Sequence, residues 1–371
     1  MVYVRRVSKD LDAASSTPLH PAAREAFLAA LDRGYADPRR LHGAARDARL
    51  LLDNAREATA DALAVRPDEV SFTATGTDAV HRGLLGLAYR GLRDGLPIAH
   101  TAVEHSAVLH AARWGGTPLS IPVDDVGQVV QAEMPSSAAV VAVQSANHEV
   151  GTLQRVAAIS ERTEAPVFMD ACASMGRLAL PAGWAAAAGS AHKWGGPAGV
   201  GILLVRKNAR WRNPFPADDR VDPRTAGFEN VPAILAAAAS LQAVVAERAE
   251  VNARQHALID IVRARVAAEV PDVEVVGDPV ARLPHLVTFS CLYVDGEALV
   301  LELDRRGFGI ASGSACTSST LAPSHVLAAM GVLTHGNVRL SLQRDATRSD
   351  VDAFCDVLPE VVRSLRARVG L

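Results

Sequence analysis

Aromatic residues are scarce, at 4% of 371 positions. That scarcity argues against a base-stacking platform for single-stranded nucleic acid. No field of one charge is present either. Lys and Arg total 38 against 41 Asp and Glu, intermixed, for a net charge of −3. Direct contact with nucleic acid or with an anionic membrane surface is therefore not expected. Only four cysteines occur, Cys172, Cys291, Cys316 and Cys355. With no CxxC pair and no His/Cys ladder of zinc spacing, neither a disulfide framework nor a metal site is predicted. The pattern fits a reduced, cytoplasmic setting. Residues 1–12 contain no apolar signal core. Dense apolar runs such as 138–143 fall far short of the roughly 20 residues that cross a bilayer, so no membrane segment is expected.

What is present is ordinary globular material, 49% hydrophobic and 21% charged, with enough chain for a sizeable core. Short apolar runs alternate with patterns of helical period. Strands are predicted at 69–73, 97–101, 138–144, 166–170 and 201–205, and helices at 21–32, 45–63, 78–90 and 105–113. A long helix at 232–268 then changes the rhythm. After it come a strand at 286–291, a helix at 296–306, a strand at 337–342 and a closing helix from Ser349. The Ala-rich patches 185–188 and 236–239 read as small-residue helix packing. The expected fold class is α/β. A large, doubly wound, mainly parallel sheet domain spans 14–246. A smaller α+β domain is formed by 1–13 and 247–371.

Five segments carry chemistry. Lys193 follows a strand pattern and precedes the turn Gly195-Gly196-Pro197, where a lysine amine is aimed by rigid backbone. Asp170 ends the predicted strand 166–170. A carboxylate at the carboxyl end of a parallel strand lies in the crevice where such sheets bind ligands. There it could keep a pyridine nitrogen protonated. Gly76 and Thr77 sit between a strand and a helix, where backbone N–H groups form an anion cradle, with Ser190 and His192 completing its shell. His105 follows another strand and could stack on a flat cofactor. Cys316 lies among small polar residues at 311–319, the setting of an accessible thiol, whereas Cys291 and Cys355 read as core. Cys172 belongs near Asp170. Arg339 interrupts an apolar strand and needs an anionic partner, either a substrate α-carboxylate or a structural carboxylate.

Together these segments resemble the cysteine desulfurase family, the class V branch of fold-type I pyridoxal-phosphate enzymes. The resemblance runs through Leu11-Asp12-Ala13-Ala14-Ser15-Ser16-Thr17-Pro18, Glu104-His105, Gly151-Thr152-Leu153-Gln154, Asp170-Ala171, His192-Lys193, Ser312-Gly313-Ser314-Ala315-Cys316-Thr317-Ser318 and Arg339-Leu340-Ser341-Leu342. It implies that Lys193 holds pyridoxal 5'-phosphate, Asp170 pairs with the ring nitrogen and His105 stacks on the ring. Gly76, Thr77, Ser190 and His192 would bind phosphate, and Arg339 the carboxylate of L-cysteine. Cys316 would capture the sulfur as a persulfide and leave L-alanine, with Lys193 as proton shuttle. A homodimer is implied as well. So is a sulfur-acceptor protein serving tRNA thiolation, iron–sulfur assembly or a specialised metabolite. The chain stops at Leu371, soon after the last predicted helix, which weakens the expectation of an iron–sulfur scaffold partner.

Several positions depart from the family pattern. Ala173 stands where a Gln is expected. His148 replaces an Asn in 147–151 and is a candidate substrate-binding residue. Phe228 replaces the Thr of the partner-facing motif, now Ala226-Gly227-Phe228-Glu229-Asn230. These departures keep three rivals open: a C–S or selenocysteine lyase, an aminotransferase without persulfide transfer, and a non-catalytic relative.

Overall fold

A computed structural model describes residues 9–312, 323–368 and 370. The chain opens with β1 (Lys9–Asp10), α1 (Pro21–Leu31) and α2 (Gly43–Leu63). Alternating elements follow: β2 (Val70–Thr73), α3 (Gly76–Arg93), β3 (Ile98–Thr101), α4 (Ser106–Gly115), β4 (Pro118–Ile121), β5 (Val140–Gln144), α5 (Val156–Ser160), β6 (Val167–Asp170), β7 (Ala186–Ser190) and β8 (Gly201–Val205). The long helix α6 (Val231–Glu269) leads to β9 (Val273–Val276), β10 (Leu286–Cys291), α7 (Gly296–Arg305), β11 (Phe308–Gly309), α8 (His325–Met330), β12 (Asn337–Ser341) and α9 (Arg348–Ala367).

Seven strands form one sheet in the order β2-β8-β7-β6-β5-β3-β4. Pairs from β7 through β4 are parallel, while β8 runs antiparallel to both β2 and β7. The central strands are buried on both faces, which explains why their sequences are continuous apolar runs. β5, β6 and β7 end in Gln144, Asp170 and Ser190, so their carboxyl ends place polar groups along one edge. A second sheet, β12-β10-β9, is antiparallel. β1 pairs with β11, and the bridge from Asp12 to Ser341 ties the start of the described chain to β12.

Two differences from the sequence reading are instructive. The Ala-rich stretch at 185–188 is not helical; 186–190 is the strand β7. Ala186 and Ala188 are fully buried and pack beneath α3 with Ala79, Val80 and Leu84. Sheet context overrides alanine's helix propensity. Ala236–Ala238, by contrast, are buried within α6. Second, between Asp170 and Lys193 the sequence spacing of 23 residues suggests a further βα step; instead turns over 171–185 lead into β7.

α6 is long and apolar enough by length and composition to cross a membrane, yet here it is a core helix. Its first half packs on α1 and α2, and Val231 to Leu241 enter the core beneath the large sheet. Its second half gives Leu258, Ile259, Val262 and Val266 to the core of the small sheet and α9. Residue 247 thus falls inside one unbroken helix. Cys291 and Cys355 lie in that second core, and burial pushes their thiols up to about 12 and about 11.

Candidate active site

A cavity of about 310 Å³ opens at the carboxyl edge of the large sheet. Gly76, Thr77, His105, His148, Asp170, Ser190, His192, Lys193 and Arg339 all line it. The structure therefore brings together every candidate residue except Cys316, which lies outside the described residues.

Backbone order sets most of this wall. Asp170 is the last residue of β6 and 7% exposed, and its Oδ1 accepts the Cys172 N–H at 2.8 Å. Lys193 closes a short 3-10 turn directly after β7. The turn is pinned by Gly196 N–H to the Ala191 carbonyl at 2.9 Å and by Trp194 Nε1–H to the Ala237 carbonyl at 3.2 Å. At the start of α3, Thr75 caps the Asp78 N–H with its hydroxyl. A Cβ on Gly76 would stand 2.5 Å from the Ser190 Cβ, so only glycine lets the helix start press against the end of β7. Beyond the cap, first-turn N–H groups have no intrahelical partner and face the favourable end of the helix dipole.

His105 caps α4 by accepting the Ala107 N–H on Nδ1 at 3.1 Å. Burial lowers its pKa, opposed by the Asp170 charge. The His148 ring meets it edge-on, with centroids 5.1 Å apart. Burial, then His105, Lys193 and Arg339, holds His148 well below the ordinary histidine range, so it is neutral. Cys172 is half-buried beside Asp170; desolvation, then the Asp170 charge, drives its thiol well above the usual value and keeps it protonated.

Arg339 sits on β12 and lines the same cavity as Lys193. Its Nη1 donates to the His148 carbonyl at 3.0 Å. Its Nη2 donates to Asp12 Oδ1 at 3.0 Å and to Ser15 Oγ at 2.9 Å. Nε has no partner among the described residues. Asp12 thus supplies a structural carboxylate to Nη2, and Nε remains for a further partner. Ala173 also lines the cavity. Phe228 is 56% exposed, with the Arg220 guanidinium 5.1 Å from its ring centre.

The class-V aminotransferase family matches residues 10–354. An IscS-like cysteine desulfurase of Mycobacterium tuberculosis is 36% identical over 97% of this chain and 98% of that protein. The cysteine desulfurase IscS of Dictyoglomus turgidum is 31% identical over 96% of this chain and 95% of its own. A solved NifS-like protein superposes with a TM-score of 0.87 at 26% identity, over 96% of this chain and all of the other. This chain belongs to the cysteine desulfurases of the class-V aminotransferase family. The expected fold class, an α/β fold-type I architecture, is the one observed.

The family is generally pyridoxal-phosphate-dependent, and the residues present fit that group. A glycine-tight helix start faces Ser190 and His192 as an anion cradle. A lysine and a strand-end carboxylate share the cavity, and an imidazole lines its side.

Some site residues were assigned no role from the sequence, although Glu104, Glu149 and Ser15 lie in runs quoted above. Glu104 is fully buried beneath the cavity. Its Oε1 accepts from Thr101 Oγ1 at 2.7 Å and from the Gln144 N–H at 2.8 Å. Burial, reinforced by the Asp170 charge, raises it to about 8, so it is protonated at neutral pH. Glu149 is raised by burial to about 7 and accepts from Ser324 Oγ at 2.9 Å, just after the undescribed stretch 313–322. Ser15 steadies Arg339. His285 and Arg177 lie behind the cavity. Their roles depend on contacts between distant residues, which no local motif encodes.

Proposed function

We propose that this chain is a pyridoxal-phosphate-dependent cysteine desulfurase that converts L-cysteine to L-alanine and holds the sulfur as a persulfide on Cys316. The observation that carries this reading is the sharing of one cavity by Lys193, Asp170 and the start of α3. Asp170 would keep the ring nitrogen protonated, and His105 would stack on the ring. Gly76, Thr77, Ser190 and His192 hold the phosphate. Arg339 and His148 take the substrate carboxylate. When bound, the cofactor supplies an electron sink for the pair left behind when the substrate Cα loses its proton. Lys193 would hold the cofactor covalently until substrate arrives. Its free Nζ then takes the Cα proton and returns a proton to carbon at the end of turnover. The Cys316 thiolate attacks the substrate sulfur. An S–S bond forms as the C–S bond breaks, and the electron pair passes to the substrate carbon, which is protonated to give alanine. The protein works in the cytoplasm as a homodimer and passes its persulfide sulfur to an acceptor protein.

Incubating the purified protein with pyridoxal phosphate and L-cysteine tests this. Alanine should appear, and mass spectrometry should find one added sulfur on the peptide containing Cys316. Cys316→Ala should abolish both. Sustained turnover in Cys316→Ala would instead identify a lyase.

A further inference from the structure

Behind the active-site cavity lies a much smaller pocket of about 10 Å³, lined by His148, Ala173, Arg177, Lys193, Leu283 and His285. That volume suits a single water. Two of the lining residues present unsatisfied ring nitrogens. His148 is 8% exposed and His285 2%, and among the described residues neither Nδ1 has a hydrogen-bond partner. The two come from separate parts of the chain, His148 from the loop after β5 and His285 from the residue before β10. Ala173, which ends at Cβ where the family pattern carries a longer amide, lines the same pocket.

We infer that one ordered water bridges the Nδ1 atoms of His148 and His285 in this pocket, and that His285 is thereby a positioning residue that fixes the tautomer of His148. The charges around the pocket orient that water. Burial keeps both imidazoles neutral, helped by His105, Lys193 and Arg339 at His148 and by Arg177, Arg339 and Lys193 at His285, so each carries one N–H. The Arg177 guanidinium, whose Nη2 donates to the Lys193 carbonyl at 3.4 Å, also lines the pocket. It attracts the water oxygen, which turns the two O–H bonds toward the two Nδ1 lone pairs. Both histidines then hold their proton on Nε2. His148, which also lines the main cavity, thus keeps a fixed N–H donor. An asparagine amide would offer the same valence. The replacements at 148 and 173 become one coordinated change: the lost amide makes room for the water, and the water sets the new imidazole.

This inference rests on the desulfurase reading only for its kinetic readout. A high-resolution crystal structure of the cofactor-free protein should show one water within hydrogen-bond reach of both Nδ1 atoms. Nitrogen NMR of histidine-labelled protein should show His148 as the Nε2–H tautomer. His285→Phe replaces the imidazole with an apolar ring. It should remove the water, mix the His148 tautomers and lower kcat/KM for L-cysteine about tenfold. Ala173→Gln should displace the water while its amide donates to the His148 Nδ1, which preserves the Nε2–H signal. A wild-type map without that water overturns the inference. So does a His148 nitrogen spectrum that His285→Phe leaves unchanged. If His285→Phe does not fold, the wild-type map and the Ala173→Gln spectrum decide alone. If the water and tautomer are found but no alanine forms from cysteine, the inference stands and the proposed function falls.

Discussion

One wall of the cavity is made from the ends of regular elements, whereas the opposite wall is made from side chains that reach across the sequence. On the first wall, Asp170, Ser190 and Gly76 occupy the ends of β6 and β7 and the start of α3. Their positions are set by strand pairing and by the close approach that Gly76 permits. On the second, Arg339 is aimed by Asp12, 327 residues away, and by Ser15 and the His148 carbonyl. Backbone ladders tolerate the loss of a side chain with little movement, whereas an ion-paired side chain loses its aim when one partner changes. The first wall should therefore fail only in chemistry, and the second in substrate affinity.

The sharpest way to break this contrast is Lys193→Ala. Alanine production should fall by roughly a thousandfold or more, with the visible absorbance of bound cofactor lost and the melting temperature nearly unchanged. Substantial residual turnover would remove the first wall from the chemistry. Arg339→Lys comes next. Lysine keeps the charge but not the planar fork that serves three acceptors at once. A decrease in kcat/KM of about 10- to 100-fold is expected, mostly through KM. A loss confined to kcat would show that the second wall acts on the reacting atoms.

The smallest effect concerns Glu104, under the first wall. Its carboxyl titrates near about 8 in the fold against an ordinary 4.5. The folded chain holds a proton that the unfolded chain releases. The stability from this group is therefore complete below about pH 4.5 and drains away as pH rises through about 8. Glu104→Gln has no proton to lose and can still accept from Thr101 and Gln144. Its melting temperature should gain on the wild type as pH is raised from about 5 to about 8. A gap that stays constant across that range would mean that Glu104 is ionised throughout.

The two walls also differ in how far they could be read from sequence. Asp170 and Lys193 were legible because each adjoins a strand or turn whose signal is local, and 201–205 and 286–291 match their strands to the residue. β7 was not, because Ala186 to Gly189 carry no branched or aromatic residue. Only the lid of α3 and the flanking strands make it extended. β4 was missed because Pro118, Leu119 and Ser120 are exposed and show no apolar alternation. On the second wall, Arg339 was legible as a charge in an apolar strand, but Asp12 as its partner was not. His285, Arg177 and the depth of Glu104 become visible only when distant segments are packed together.

The uninterrupted run of α6 has a consequence for how the chain is made. Its first half completes the packing around α1 and α2, and its second half seats the small sheet and α9. While the ribosome is still adding residues before Val231, the large sheet, α1 and α2 have been synthesised but the α6 segment that packs against them has not. During that interval the nascent chain exposes an apolar face that a chaperone would shield, and release from that protection awaits the emergence of a single segment.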